Sequence, residues 1–280
     1  MTSNNPLSQY FRQPAIYIKL PSQGNYYPPG TLDMPLNKEL PVFPMTAIDE
    51  ITYRTPDALF NGQAVVNVIQ SCLPNIKDAW AIPATDIDTI LVAIRIATYG
   101  HQMDFTTVCP KCNNDEEYGI DLRVVLDTIR TPDYSQAIKQ GDIEIYFKPM
   151  SYKNMSDNNR MQFDEQRLLQ NLNVTIENPD MAQINAISAA LKKMTEMTVG
   201  ALSQSILTIK TPSAIVTESE FIQEFMRNCD RSIFNRIQEY IIEHKRQAEM
   251  QPINIDCKNC SNEYSQQLTL DMSNFFGRAS

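Results

Sequence analysis

Glycine is scarce, with eight residues in 280, and none of the patterns that cradle phosphate or expose a nucleophile occurs: no G-x-x-x-x-G-K-[ST], G-x-G-x-x-G or G-x-S-x-G. Histidine is scarcer still, limited to His101 and His244. His101 follows Gly100, which reads as a helix end. His244 sits among Glu243, Lys245 and Arg246. Both fit solvated faces, so a histidine-based triad has no foothold and the chain reads as a non-enzyme. Long apolar runs are missing too. Ile90–Ile94 stops at Arg95, far short of the roughly 18–20 residues that span a bilayer. Residues 1–6 have neither the basic segment nor the apolar core of a signal peptide. Positive charge is in deficit: 24 basic against 33 acidic residues give a formal charge of −9. With no Arg/Lys stripe, a role in coating nucleic acid is disfavoured. These absences describe a soluble protein of a reducing compartment with no membrane anchor.

What is present suffices for a core, since 42% of residues are apolar and 9% aromatic. Eight of the 17 prolines (Pro6, Pro14, Pro21, Pro28, Pro29, Pro35, Pro41 and Pro44) crowd into residues 1–50. Proline fixes φ and removes a donor, so this stretch reads as an extended arm with one short strand near 16–20 and a turn around Gly24. Tyr26, Tyr27 and Phe43 imply that the arm packs on a surface, either its own domain or a neighbouring subunit.

A helical block follows over 51–102. Thr55-Pro56-Asp57 reads as a helix start, carrying Leu59, Val65, Val66 and Ile69 and ending before Pro74. A second start falls at Thr85-Asp86, and Ile87, Ile90, Leu91, Ile94 and Ala97 recur at helical spacing up to Gly100. The period then changes to two across Met103 and Phe105, across Tyr118, Ile120 and Leu122, and across Ile143, Ile145 and Phe147. Residues 151–250 read as mostly helical: one helix over 153–171, one from 180 into the 200s, and a third capped by Thr217 and Glu220. That third helix carries Ile222, Met226, Cys229, Ile233 and Tyr240 on one stripe.

Four of the six cysteines form two C-x-x-C pairs, Cys109/Cys112 and Cys257/Cys260, and each pair is a tight turn followed by an alternating strand. Two such knuckles facing each other make a zinc ribbon, with four thiolates around one ion. Lys111 and Lys258 supply positive charge that favours ionised sulfur. The interval between the pairs far exceeds the roughly 15–20 residues usual in zinc modules, so the ribbon must be split by an insertion. Iron and the absence of metal remain open. Disulfides do not suit a reducing compartment, and a catalytic zinc would keep an open position. Cys72 and Cys229 read as core residues. The expected fold is α+β and mostly helical. It comprises an arm (1–50), a helical block (51–102), a first knuckle with strands (103–150), a helical insertion (151–250), and a second knuckle with a C-terminal strand (251–280).

Residues 41–60, Ser71–Lys77, Ile94–Gly100, the knuckle Cys109-Pro110-Lys111-Cys112 and the ending Asn274-Phe275-Phe276 resemble the tail and baseplate assembly proteins of T4-type contractile phages, specifically the baseplate hub assembly (hub subunit) family. The resemblance is densest over about 14–126 and returns at about 253–277. It implies a hub subunit, or an assembly factor that handles the tape-measure protein. It further implies phage tail proteins as partners, and residence in the host cytoplasm during assembly or in the virion baseplate. An acidic zinc-ribbon regulator of transcription or replication proteins is the alternative. Oligomeric state is left open by the residues.

Overall fold

The computed structural model describes residues 5–53, 62–173 and 181–267. Its fold is α+β and predominantly helical, with open sheets. The chain divides into two compact units, one formed by 1–131 with 249–280 and the other by 132–248.

In the first unit, β1 (Ile16–Ile18) pairs antiparallel with β2 (Leu40–Val42). The second of these strands was not expected, because Pro41 lies in its middle. A two-stranded sheet leaves one edge of each strand unpaired, so the missing N–H of Pro41 costs no ladder bond. Beyond them stand α1 (Ala47–Tyr53), α2 (Gln63–Cys72) and α3 (Ala84–Tyr99). The helix start expected at Thr55-Pro56-Asp57 lies outside the described residues. The α3 helix is buried along most of its length and ends at Gly100, whose φ of 89° a side chain would resist. Leu40, Ile69, Leu73, Ile82, Ile90, Leu91 and Ile94 form the best-buried part of this core.

The arm is pinned to its own unit by polar contacts at both ends. Arg12 donates to the Pro44 carbonyl, to Asp49 (3.2 Å) and to both the carbonyl (2.8 Å) and hydroxyl (2.7 Å) of Ser71. Further along, Asp86 of α3 is fully buried and accepts from the Ser22 N–H (2.8 Å), the Ser22 hydroxyl and the Tyr27 hydroxyl (3.0 Å). The helix begins at Ala84, one residue ahead of the expected start at Thr85-Asp86, with Pro83 at the cap position. Asp86 lies in the first turn and its carboxyl turns inward to the arm. Burial pushes the Asp86 carboxyl above its ordinary range, against the opposing effect of the Ser22 donors. Burial, with the nearby Asp86 charge, likewise raises the Tyr27 phenol. Backbone bonds from Asp33 to Asn75 and from Lys77 to Thr31 complete the seam.

After α3 come the hairpins β3 (Gln102–Val108) with β4 (Asp115–Asp121), and β9 (Ile253–Asp256) with β10 (Glu263–Gln266). Leu122 does not continue the strand pattern. It begins α4 (Leu122–Thr128), whose first turn is capped by Asp121 accepting from the Arg123 N–H.

The second unit holds an antiparallel sheet in the order β5 (Ile138–Gln140), β6 (Ile143–Phe147), β7 (Ile206–Lys210), β8 (Ile215–Val216). Helices α5 (Tyr152–Asn173), α6 (Met181–Gln204), α7 (Ser219–Asn228) and α8 (Arg231–Ala248) accompany it. The structure departs from expectation in three places. Strands β7 and β8 interrupt a region expected to be helical, because Ile206 and Ile209 complete a core with Ile145, Phe147, Val199, Ile222 and Ile237. The expected third helix is two helices broken at Cys229-Asp230, where Asp230 accepts from the Ser232 N–H (2.7 Å) and restarts the chain. The expected capping box is not formed, since Glu218 holds the cap position of α7 without a side-chain cap bond. Near the start and end of this unit, His244 Nε2 lies 3.1 Å from the Asp133 carbonyl, and the Tyr240 hydroxyl donates to Gln136 (3.1 Å).

Replacing Asp86 by alanine strands a buried N–H and two hydroxyls. Asp86→Ala is expected to destabilise the protein by about 3 kcal/mol, measured as a lower midpoint in urea, with the far-UV spectrum of the folded state retained.

A candidate metal centre of four cysteines

The two hairpin loops have one backbone design. In the first, the Cys109 N–H donates to Asn114 (2.9 Å) and the Asn113 N–H donates back to Cys109 (2.9 Å). In the second, the Cys257 N–H donates to Asn262 (3.0 Å) and the Ser261 N–H donates back to Cys257 (2.8 Å). The residue after the second cysteine takes a left-handed conformation in both, with φ of 54° at Asn113 and 52° at Ser261. Asparagine enters that region more readily than most residues. The loops leave their strands at matching places, after Val108↔Asp115 and after Asp256↔Glu263.

This geometry brings all four thiols together. The Sγ atoms of Cys109, Cys112, Cys257 and Cys260 lie within 4.8 Å of one another. Cys109 and Cys260 are 3.7 Å apart, and Cys112 and Cys257 are 3.6 Å apart. Four sulfurs at Zn–S distances of about 2.3 Å would be separated by about 3.8 Å along a tetrahedral edge, so the cluster has the size a thiolate-bound metal requires. Disulfide bonds are absent here, all four being free thiols. Among the described residues, this is the only such convergence of three or more His, Cys, Asp or Glu side chains.

The electrostatics of the loops differ from expectation in one respect. Backbone donors, not lysine charge, lower Cys109 and Cys112. The Asn114 N–H, with a contribution from the Asn259 amide, pulls Cys112 down to about 6. At Cys109, burial opposes ionisation but is outweighed by the N–H groups of Cys112 and Lys111. Cys260 moves the other way, to about 12, through burial and the neighbouring thiols. Lys258 is engaged elsewhere: its ammonium donates to the Glu117 carbonyl (2.9 Å) and stands over the Tyr118 ring. Its N–H donates to Glu116, which also accepts from the Tyr118 hydroxyl. The acidic run 115–117 thus ties one hairpin to the other, and Thr107 donating to Gln266 (2.9 Å) adds a second tie. Sequence reasoning missed this role of Glu116 because it depends on pairing across more than a hundred residues.

The remaining cysteines lie apart. Cys72 is fully buried, and burial, reinforced by the Asp49 charge, pushes its thiol up to about 12. Cys229 is half-buried and donates to the Met226 carbonyl. His244 stacks on Tyr240 at 3.8 Å with Tyr134 nearby, and the His101 carbonyl accepts from the Leu122 N–H. Residues 268–280, including Phe275 and Phe276, lie outside the described residues. No helix among the described residues is long and apolar enough to cross a membrane.

An α+β protein with two distant cysteine hairpins converging on one point is the class these features define. Its sequence matches the family model described as T4 bacteriophage base plate protein over residues 38–277, and the chain belongs to that family. No curated protein and no solved structure matches it.

The left-handed φ of Ser261 supplies a test of the loop geometry. Ser261→Val is expected to lower stability by about 1–2 kcal/mol, whereas Ser261→Gly leaves it unchanged or slightly higher, both read by thermal unfolding.

Proposed function

We propose that this protein is a subunit or assembly factor of the central baseplate hub, from which the tail tube is initiated. It acts through protein–protein contacts and without catalysis. The observation that carries this reading is the family match over 38–277, which takes in both cysteine hairpins and everything between them. The partners are phage tail proteins: those of the hub, and the tape-measure protein whose handling falls to an assembly factor. The protein acts in the host cytoplasm during assembly and in the tail baseplate if it is retained. Large apolar side chains left exposed on the arm and α1, among them Tyr10, Phe11, Leu36, Ile48 and Ile51, support a role built on contacts.

On the same reading, Cys109, Cys112, Cys257 and Cys260 hold one structural zinc ion, and the two hairpins are the halves of a split zinc ribbon with the helical region inserted between them. Supporting this are the matched loops, the sulfur spacing and the all-cysteine donor set, which leaves no open position for a substrate. Zinc-bound thiolate would be the resting form of all four side chains, so binding is coupled to folding.

Two measurements test these assignments. Metal analysis of the purified protein is expected to give one zinc per chain. In Cys109→Ser combined with Cys257→Ser that metal is lost, and Tm falls by about 10 °C or more. A metal-free parent with the same Tm as the double variant would remove the zinc assignment. Co-expression with the hub and tape-measure proteins of the same phage, followed by size exclusion with mass detection, is expected to yield a stable complex. A complex with the tape measure assigns an assembly factor, and one with hub proteins alone assigns a structural subunit. Elution of this chain by itself at every salt concentration would overturn the hub reading.

A further inference from the structure

A cleft of about 710 Å³ opens in the first unit between the arm, α3 and the end of α4. Its charge runs against that of the chain. Among the described residues, Lys19, Lys38 and Arg130 line it with Asp127 as the one acid, in a protein whose formal charge is −9. The cations are available: Lys19 shares a 3.6 Å exposed pair with Glu39, and such pairs are weak. Arg130 Nη1 donates to the adjacent Ile129 carbonyl.

Two further features mark the cleft as built. Thr89 is 4% exposed and its hydroxyl has no hydrogen-bond partner, and the buried hydroxyl of Thr131 has none either. Both residues line the cleft, and a buried hydroxyl without an acceptor carries a free-energy cost that a ligand oxygen would relieve. The cleft wall also includes Gln23 and Lys38, held at φ of 56° and 59°. Left-handed backbone in residues other than glycine gathers at ligand clamps.

The lining also defines the ligand. Among the described residues it contains no aromatic side chain on which a base could stack, which disfavours nucleotides and single-stranded nucleic acid. Leu20, Leu126 and Ile129 supply apolar wall beside the amides of Gln23 and Asn37. We propose that this cleft binds an acidic, extended segment of a partner protein, with its carboxylates on Lys19, Lys38 and Arg130 and its oxygens accepting from Thr89 and Thr131. The site is separate from the cysteine centre and does not depend on the hub assignment, because it concerns the chemistry of the segment and not the identity of its owner.

The test is fluorescence anisotropy with the full-length protein and a labelled peptide of alternating glutamate and leucine at low salt. A protein of this net charge repels such a peptide overall, so saturable binding requires a local site. Binding is expected to weaken about tenfold or more in K38E/R130E, and to weaken also in Lys38→Gln, which preserves size and removes one charge. The far-UV spectra of both variants should match the parent. K192E/K193E, a reversal of the same size on the exposed face of α6, should bind as the parent does. Absence of saturable binding, equal weakening in K192E/K193E, or displacement by oligothymidylate as readily as by unlabelled peptide would each overturn the proposal.

Discussion

Closure of the two cysteine hairpins is the constraint on which the rest of this chain depends. Cys109 and Cys260 are 151 residues apart in sequence and 3.7 Å apart in space. Bringing the ends of an unstructured loop of that length together costs about 5 kcal/mol in chain entropy. The protein ties between the hairpins, from Lys258, Glu116, Thr107 and Gln266, lie mostly at or near the surface, with Thr107 buried, and contribute about 1 kcal/mol each. They alone do not offset the closure. On the proposed reading, an ion held by the four thiolates would add on the order of 10 kcal/mol.

The insertion reduces that cost by its own folding. His244 beside Asp133 and Tyr240 bonded to Gln136 place the beginning and end of the 132–248 unit next to each other. Once that unit has formed, about 35 residues of connecting chain remain to be closed, and the entropy falls to about 4 kcal/mol. Local folding of this unit ahead of hairpin closure is the order with the lower entropy cost. The mixed core of the insertion, in which strands β6 and β7 meet helices α6 to α8, makes such independent folding feasible.

The arm follows the same economy on a smaller scale. It is rich in proline, and its backbone ties among the described residues are one short ladder, a bridge from Leu32 to Ile76 and a few single bonds, so side chains complete its anchoring. Two buried carboxylates, Asp49 and Asp86, serve as fixed acceptors for Arg12, Ser22 and Tyr27. Each replaces a run of ladder bonds by a few charge-assisted ones. The outward face of the arm exposes the large side chains of Tyr10, Phe11 and Leu36.

Local chemistry made part of this structure legible from residues alone. The periodic apolar stripe of α3, the stop at Gly100, the alternation of Ile143, Ile145 and Phe147, and the paired C-x-x-C turns each have their cause within a few neighbouring positions. The family resemblance was legible for the same reason, resting on short contiguous motifs. What the sequence could not decide depends on partners distant along the chain. Pro41 sits in a strand because Tyr17 lies opposite. Asp86 faces inward because Ser22 and Tyr27 reach it. Ile206 and Ile209 extend as a strand because β6 offers an open edge beside a core they complete. The two matched C-x-x-C pairs pointed to convergence of the four thiols, which the fold brings within 4.8 Å of one another. Spacing specifies each turn, but only the tertiary structure places the turns together, because sulfurs so far apart in sequence meet only when everything between them is folded.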